Sequence, residues 1–302
     1  MIKRRSKNRH GVALLITLFF IIAITAAVGV SLMNLRKSGE ELHQARFLLQ
    51  SGAIIDDVLA LMNQADKLGI VSDAESLNIF LLSAGFIPLQ LKELLVKIEI
   101  TSAMGHININ ALQSSNEFQV ALAKYMVLFN VQDASYFTDL LLDCMGGYKE
   151  SYKTDIFDTM PELYRDRIVS KRHFDEIMSF YIRERHDDAV TKLPWGKLIR
   201  FDDVNATTID ANYITPALWQ MLIPGLDKVH AVKLSSGDVI YKSLEDIDIS
   251  PEERAALSKF NLSFYQPTVH MDIAILENNS SAKVTFDYDL TTKKGKHFEL
   301  GI

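Results

Sequence analysis

Asp202, Asp203, Asn205, Asp210 and Asn212 crowd one short stretch, and their oxygens could together ligate a hard cation. Solvated loop polars are the commoner explanation of such a group. Catalytic constellations are missing from the sequence: none of the eight histidines falls in His-Glu-x-x-His, and there is no Gly-x-Ser-x-Gly and no Walker loop. Cys144, the only cysteine, lies in an apolar run before Gly146 and Gly147. That setting suits a buried thiol better than a nucleophile, and a lone cysteine forms no internal disulfide. Met221-Leu-Ile-Pro-Gly-Leu-Asp-Lys228 is similar to a DNA-binding helix-hairpin-helix, whose amides contact a phosphate. Asp227 would repel that anion, so the run reads as a structural turn between helices.

A different chemistry is written at the amino terminus. Lys3, Arg4, Arg5, Lys7 and Arg9 form a basic head without an acid, and no charged side chain follows until Arg36. Val12 to Met33 is an apolar segment that would be roughly 33 Å long as a helix, close to a bilayer's hydrocarbon thickness. A secretory h-region is usually about 7–15 residues, so the length disfavours a removable signal peptide. The basic flank should stay in the cytoplasm, which puts everything after residue 35 across the membrane. A plain signal anchor with an uncut head fits length and charge as well. Gly11, however, sits where charge stops and the apolar run begins, followed by Val12 and Ala13.

This placement resembles the type III signal of type IV pilins and type II secretion pseudopilins, which a prepilin peptidase cuts after the glycine. The resemblance implies cleavage between Gly11 and Val12, N-methylation of Val12 and retention of the apolar segment. Counting from Val12, the fifth residue is Ile16. Most of the superfamily carries glutamate there, paired with the terminal ammonium of the subunit ahead. A lone carboxylate in hydrocarbon costs a few kcal/mol unless paired. An apolar residue therefore fits a filament tip, and among pseudopilins it marks the minor pseudopilin K (GspK) family. Ile16 also reads simply as one more lipid-facing residue.

Length and charge set further bounds. The chain has 302 residues, which suits one membrane helix and two further units. The net charge is −6, and the basic head supplies +5 of the balance, so the processed chain would stand near −11. This argues against a nucleic-acid partner, which needs clustered Lys and Arg.

Periodicity gives the elements that would position these residues. Leu42, Ala45, Leu49, Gly52, Ile55, Leu59 and Met62 recur at helical spacing, predicting that the membrane helix runs on to about Asp66. A separate amphipathic helix after a break near Lys37-Ser38-Gly39 is the alternative. From Leu94 the period becomes two: Val96, Ile98 and Ile100, then Ile107 and Ile109, predict a hairpin turning at Ser102 to Gly105. Strands return at Val269 to Ile275, Val284 to Leu290 and Phe298 to Ile302. Between them, helices are predicted at Phe118–Phe129, Ala134–Met145, His173–Arg185, Pro216–Leu222 and Pro251–Lys259. Thr215 before Pro216 is a helix start. The early and late strands should pair, since strand edges need partners.

The fold expected is α+β: a long transmembrane helix continuing into a pilin-like α/β domain with an antiparallel sheet, interrupted by a large all-α insertion. The family resemblance implies that this insertion is built of two lobes similar to sterile-alpha-motif folds. "GHININAL" (105–112) and the segment 193–226 resemble family stretches flanking and within it. The expected divisions are a leader at 1–11, the helix at 12–66, the first part of the α/β domain at 67–110, the insertion at 111–262 and closing strands at 263–302.

Members of that family characterised as metal binders hold calcium on clustered carboxylates in the α-domain. Asp139 and Asp143 match that region, but Cys144 and Met145 stand where more acids would be expected. No cofactor is therefore expected, with calcium on Asp139, Asp143, Asp202 or Asp203 as weak candidates. The resemblance implies a non-catalytic minor pseudopilin at the pseudopilus tip, in the inner membrane with a periplasmic head. Its partners would be I- and J-type minor pseudopilins, the major pseudopilin, the prepilin peptidase and the inner-membrane secretion platform. The alternatives are a minor pilin of a type IV pilus or competence system, or a signal-anchored periplasmic binding protein.

Overall fold

A computed structural model of the chain describes residues 47, 49–60, 71–91, 94–146, 154–203, 206–277 and 280–301. Helix α1 (residues 49–60) is followed by α2 (Ala74–Ala84), whose start is a reciprocal cap: Asp73 accepts from the Ser76 N–H at 2.8 Å and the Ser76 hydroxyl accepts from the Asp73 N–H at 3.1 Å. Strands β1 (Phe86–Leu91) and β2 (Leu94–Ser102) come next. In β2 the buried Val96, Ile98 and Ile100 alternate with exposed Lys97, Glu99 and Thr101, so one face is committed to a core.

The chain then leaves the sheet for a helical unit. Its first half holds β3 (Ile107–Asn108), α3 (Asn116–Leu128), α4 (Ala134–Met145), α5 (Ile156–Thr159), α6 (Lys171–Arg185) and β4 (Ile199–Arg200). Its second half holds β5 (Ile209–Asp210), α7 (Pro216–Leu222), α8 (Lys228–Leu234), α9 (Pro251–Leu257) and β6 (Leu262–Ser263). Ser115, Asp133, Ser170, Thr215, Asp227 and Ser250 each cap a helix by accepting from the backbone N–H three residues on. The core of this unit includes a ring cluster in which Phe137 lies 5.2 Å from Tyr181 and 5.7 Å from Trp195.

The chain returns through β7 (Thr268–Glu277), β8 (Ser280–Asp289) and β9 (Lys294–Gly301). The five-stranded antiparallel sheet has the order β1-β2-β7-β8-β9, so β2 and β7 join the early strands to the late ones. Val58 of α1 and Leu77 of α2 pack on its apolar face with Ile98, Ile273 and Phe286.

Two expectations are corrected. The fold class expected a long transmembrane helix running on to about residue 66. Among the described residues the fold is mixed helix and antiparallel sheet, and no helix is long and apolar enough to cross a membrane. Helix α1 exposes Asp56 and Asp57 while burying Val58, the pattern of a helix lying on a sheet. Residues 12–33 lie outside the described residues. The expected hairpin between 94–101 and 107–110 does not form either, since β2 pairs with β1 and β7 while β3 pairs in parallel with β4. Ala103 and Met104 are buried, and their backbone groups bond to the Thr268 carbonyl and the Asp210 N–H at 3.1 and 2.8 Å. The stretch is thus a crossing between two units and not a solvated turn.

Candidate functional site at the junction of sheet and helical unit

Two short parallel strand pairs anchor the helical unit, and the same sequence device follows each. After Ile107 of β3, Asn108 accepts from the Asn110 N–H at 3.2 Å; after Ile209 of β5, Asp210 accepts from the Asn212 N–H at 3.0 Å. Asn110 then pairs with both backbone groups of Ile168, accepting at 2.8 Å and donating at 3.0 Å, and donates to the Asp202 carbonyl at 2.9 Å. Asn212 does the same to Tyr241, accepting at 2.7 Å and donating at 3.0 Å, and donates to the Phe264 carbonyl at 2.9 Å. Backbone groups at these buried positions need partners, and a side-chain amide supplies a donor and an acceptor together.

Close to these anchors, the unit meets the sheet. Gly105 passes so near the Tyr213 carbonyl oxygen that a Cβ there would lie 2.1 Å from it. A cleft of about 320 Å³ opens between the two units, lined by His106, Arg200, His270, Asp287 and His297 among others. At its wall Asp202, 3% exposed, is paired with Arg200, with Lys296 at 3.1 Å and with His297 Nε2 at 3.1 Å. His297 Nδ1 lies 3.1 Å from Asp287, which also holds His270 at 2.8 Å.

The electrostatics follow from that geometry. Burial would push the Asp202 carboxyl up, but the His297 hydrogen bond and the Arg200 charge carry it far below the usual carboxylate range. Burial opposes ionisation of Asp287 too, yet the bonds from His270 and His297 bring it down to about 2. Hydrogen bonds to Asp202 and Asp287 lift His297 to about 9, so its ring is an imidazolium at neutral pH. Burial, helped by the Arg200 charge, lowers His106 to about 4 and keeps it neutral. Such an arrangement binds and fastens; it offers no nucleophile with a matched base.

The residues singled out in the sequence fall in different places. Gly11, Val12, Ile16 and Asn205 lie outside the described residues. Asp143 accepts from the Thr154 N–H and hydroxyl at 2.7 and 2.6 Å, and Asp139 is half-buried on the same helix. Asp202 is neutralised by three cationic side chains and Asp203 pairs with Arg167. Asp210 accepts from the Asn212 and Gln266 N–H groups, and burial pushes its carboxyl up to about 6. Asp143, Asp202, Asp203 and Asp210 are spent on protein donors, which does not suit calcium. Among the described residues no group of three or more His, Cys, Asp and Glu is placed to hold a metal. Burial raises the Cys144 thiol to about 12, so it is inert. Asp227 caps α8 at 2.9 Å, as a structural interhelix turn requires.

Sequence reasoning missed His270, Asp287, Lys296 and His297. The signal was the register: His270 and Asp287 are direct cross-strand partners on the outer face of β7 and β8.

No protein-family model matches the chain, and no curated protein does. Among solved structures, a chain of the GspK-GspI-GspJ complex from the enterotoxigenic Escherichia coli Type 2 Secretion System is similar, with a TM-score of 0.57 and 13% sequence identity over 88% of this chain and 99% of that one. The likeness shows a shared fold: this chain is folded like a chain of that complex.

Proposed function

We propose that the chain is a minor pseudopilin of a type II secretion system, of the K type, and that it works by assembly and not by catalysis. The observation that carries this reading is the fold likeness, which spans nearly the whole of a chain in a GspK-GspI-GspJ complex. Support comes also from the amino terminus, where Gly11 stands between a basic head and an apolar stretch and Ile16 takes the fifth place after it. On this reading a prepilin peptidase cuts after Gly11 and methylates Val12, and the head sits on the periplasmic side of the inner membrane. I- and J-type minor pseudopilins join it at the pseudopilus tip, assisting filament assembly and export of folded proteins.

The test is co-expression of the full chain with the I- and J-type minor pseudopilins and a prepilin peptidase of the same secretion system, followed by purification and native mass spectrometry. A species holding one copy of each, with an N-methylated Val12 terminus on this chain, is expected. A chain that stays alone beside correctly processed I and J partners overturns the reading.

A further inference from the structure

The helical unit is joined to the sheet by two chain passages, at 103–106 and 264–267, and by side-chain ties. The ties differ in kind. Lys242 and Glu75 pair at 2.8 Å with side chains 70% and 60% exposed, and such surface pairs are worth about 0–1 kcal/mol. Asp202, by contrast, is almost fully removed from water, where an ion must be matched by charge and hydrogen bonds or cost several kcal/mol. Two of its three cationic partners, Lys296 and His297, come from β9, the edge strand of the sheet and the last strand described.

The backbone of β9 is shaped to deliver them. The β8–β9 register shifts between Thr285 and Asp287, and opposite that irregularity His297 has a φ of 57°, a left-handed conformation that a non-glycine residue adopts at a cost. Bulges of this kind re-aim a side chain, and here the ring is aimed out of the sheet's register, toward Asp202 on the segment after β4. The rest of β9 is exposed along its whole length, so little else holds the strand to the helical unit.

We propose that β9 is a strap: Lys296 and His297 fasten the sheet's edge to Asp202 across the cleft, and releasing them lets the helical unit swing while both units stay folded. The groups facing the strap are Arg200 and His106 of the helical unit and His270, Asp287 and Glu299 of the sheet. Arg200 and the Asp203 N–H stay on Asp202 when the strap is undone, so the carboxylate keeps a cation and a hydrogen bond and the helical unit has no reason to unfold. His270 likewise stays on Asp287.

The test uses the full-length protein in detergent with spin labels at Lys97→Cys on the sheet and Lys192→Cys on the helical unit; both lysines are exposed, and the native Cys144 is buried. Dipolar spectroscopy on the otherwise unaltered chain should give one narrow distance. The double variant Lys296→Gln/His297→Gln should broaden it and add a second population while its near-ultraviolet dichroism and cooperative melt persist. Lys296→Arg, which keeps the charge, should retain the narrow distance. An unchanged distribution in the neutral double variant overturns the proposal. So does a lost cooperative melt, which would make the network part of the fold, or a broadened distance in Lys296→Arg.

Discussion

Asn110 and Asn212 make the same three hydrogen bonds in the two halves of the helical unit, each closing on both backbone groups of one distant residue and on a carbonyl beyond a short parallel strand pair. The stretches that carry them, Ile107-Asn-Ile-Asn110 and Ile209-Asp-Ala-Asn212, are alike in pattern. Each half is therefore pinned at the place where its strand gives way to helix, by a side chain that cannot be replaced by an apolar one of similar size.

Truncating either pin should be costly. Asn110→Ala strips partners from the Ile168 N–H and carbonyl and from the Asp202 carbonyl in a fully buried place, and unsatisfied buried groups cost about 1–3 kcal/mol each. A loss of ~3 kcal/mol is expected in urea unfolding, with Asn212→Ala losing less because that side chain is partly exposed. Asn212→Asp should be worse than Asn212→Ala, since it sets carboxylate oxygen against the Tyr241 and Phe264 carbonyls.

Gly105→Ala should destabilise without any conformational penalty. The obstacle is steric: the new Cβ would meet the Tyr213 carbonyl oxygen at 2.1 Å, and backbone in a buried crossing yields poorly. A cost of about 3 kcal/mol is expected from thermal melts, against nearly no change for Gly196→Ala, whose Cβ would meet nothing within 4 Å.

Asp210 sets an acid-side pH dependence. Its carboxyl is raised from 3.8 to about 6 by burial, so the folded state holds the proton more tightly than the unfolded chain. The stability this gives is complete below about 3.8 and is lost as pH rises through about 6, a change on the order of 3 kcal/mol. Asp210→Asn removes the titration. The difference in melting free energy between parent and variant should therefore shift in the variant's favour from pH 4 to pH 7; a difference constant with pH would refute it.

What the sequence made legible follows local chemistry. Helices α4 and α7 are found at both ends, because Asp133 and the Thr215-Pro216 pair mark their starts and apolar periodicity carries them through. The late strands are found by strict alternation in Val269 to Leu290. Apolar periodicity does not reveal helix α2, although Asp73 and Ser76 form its capping box, and it hides β1 because Pro88 interrupts an edge strand whose exposed Phe86 breaks the alternation. The pattern at 102–105 suggests a hairpin because a crossing between two units and a surface turn share the same small residues. Partner choice was the illegible part of the site: Asp202 meets Lys296 and His297 far along the chain, through a register shift that no local pattern announces.

The two hydrophobic cores make a last prediction separable from the rest. Phe137 is fully buried among Phe174, Tyr181 and Trp195, and Phe286 is fully buried under the sheet beside Phe298 at 4.9 Å. Truncating a buried phenylalanine costs ~3–5 kcal/mol through lost transfer energy and the cavity left behind. The rings belong to different cores, so the loss should appear locally. In hydrogen exchange, Phe137→Ala should speed opening of α4 and α6 while β7 and β8 keep their protection, and Phe286→Ala should do the reverse. Equal loss of protection in both units from either variant would mean that the junction makes them one cooperative body.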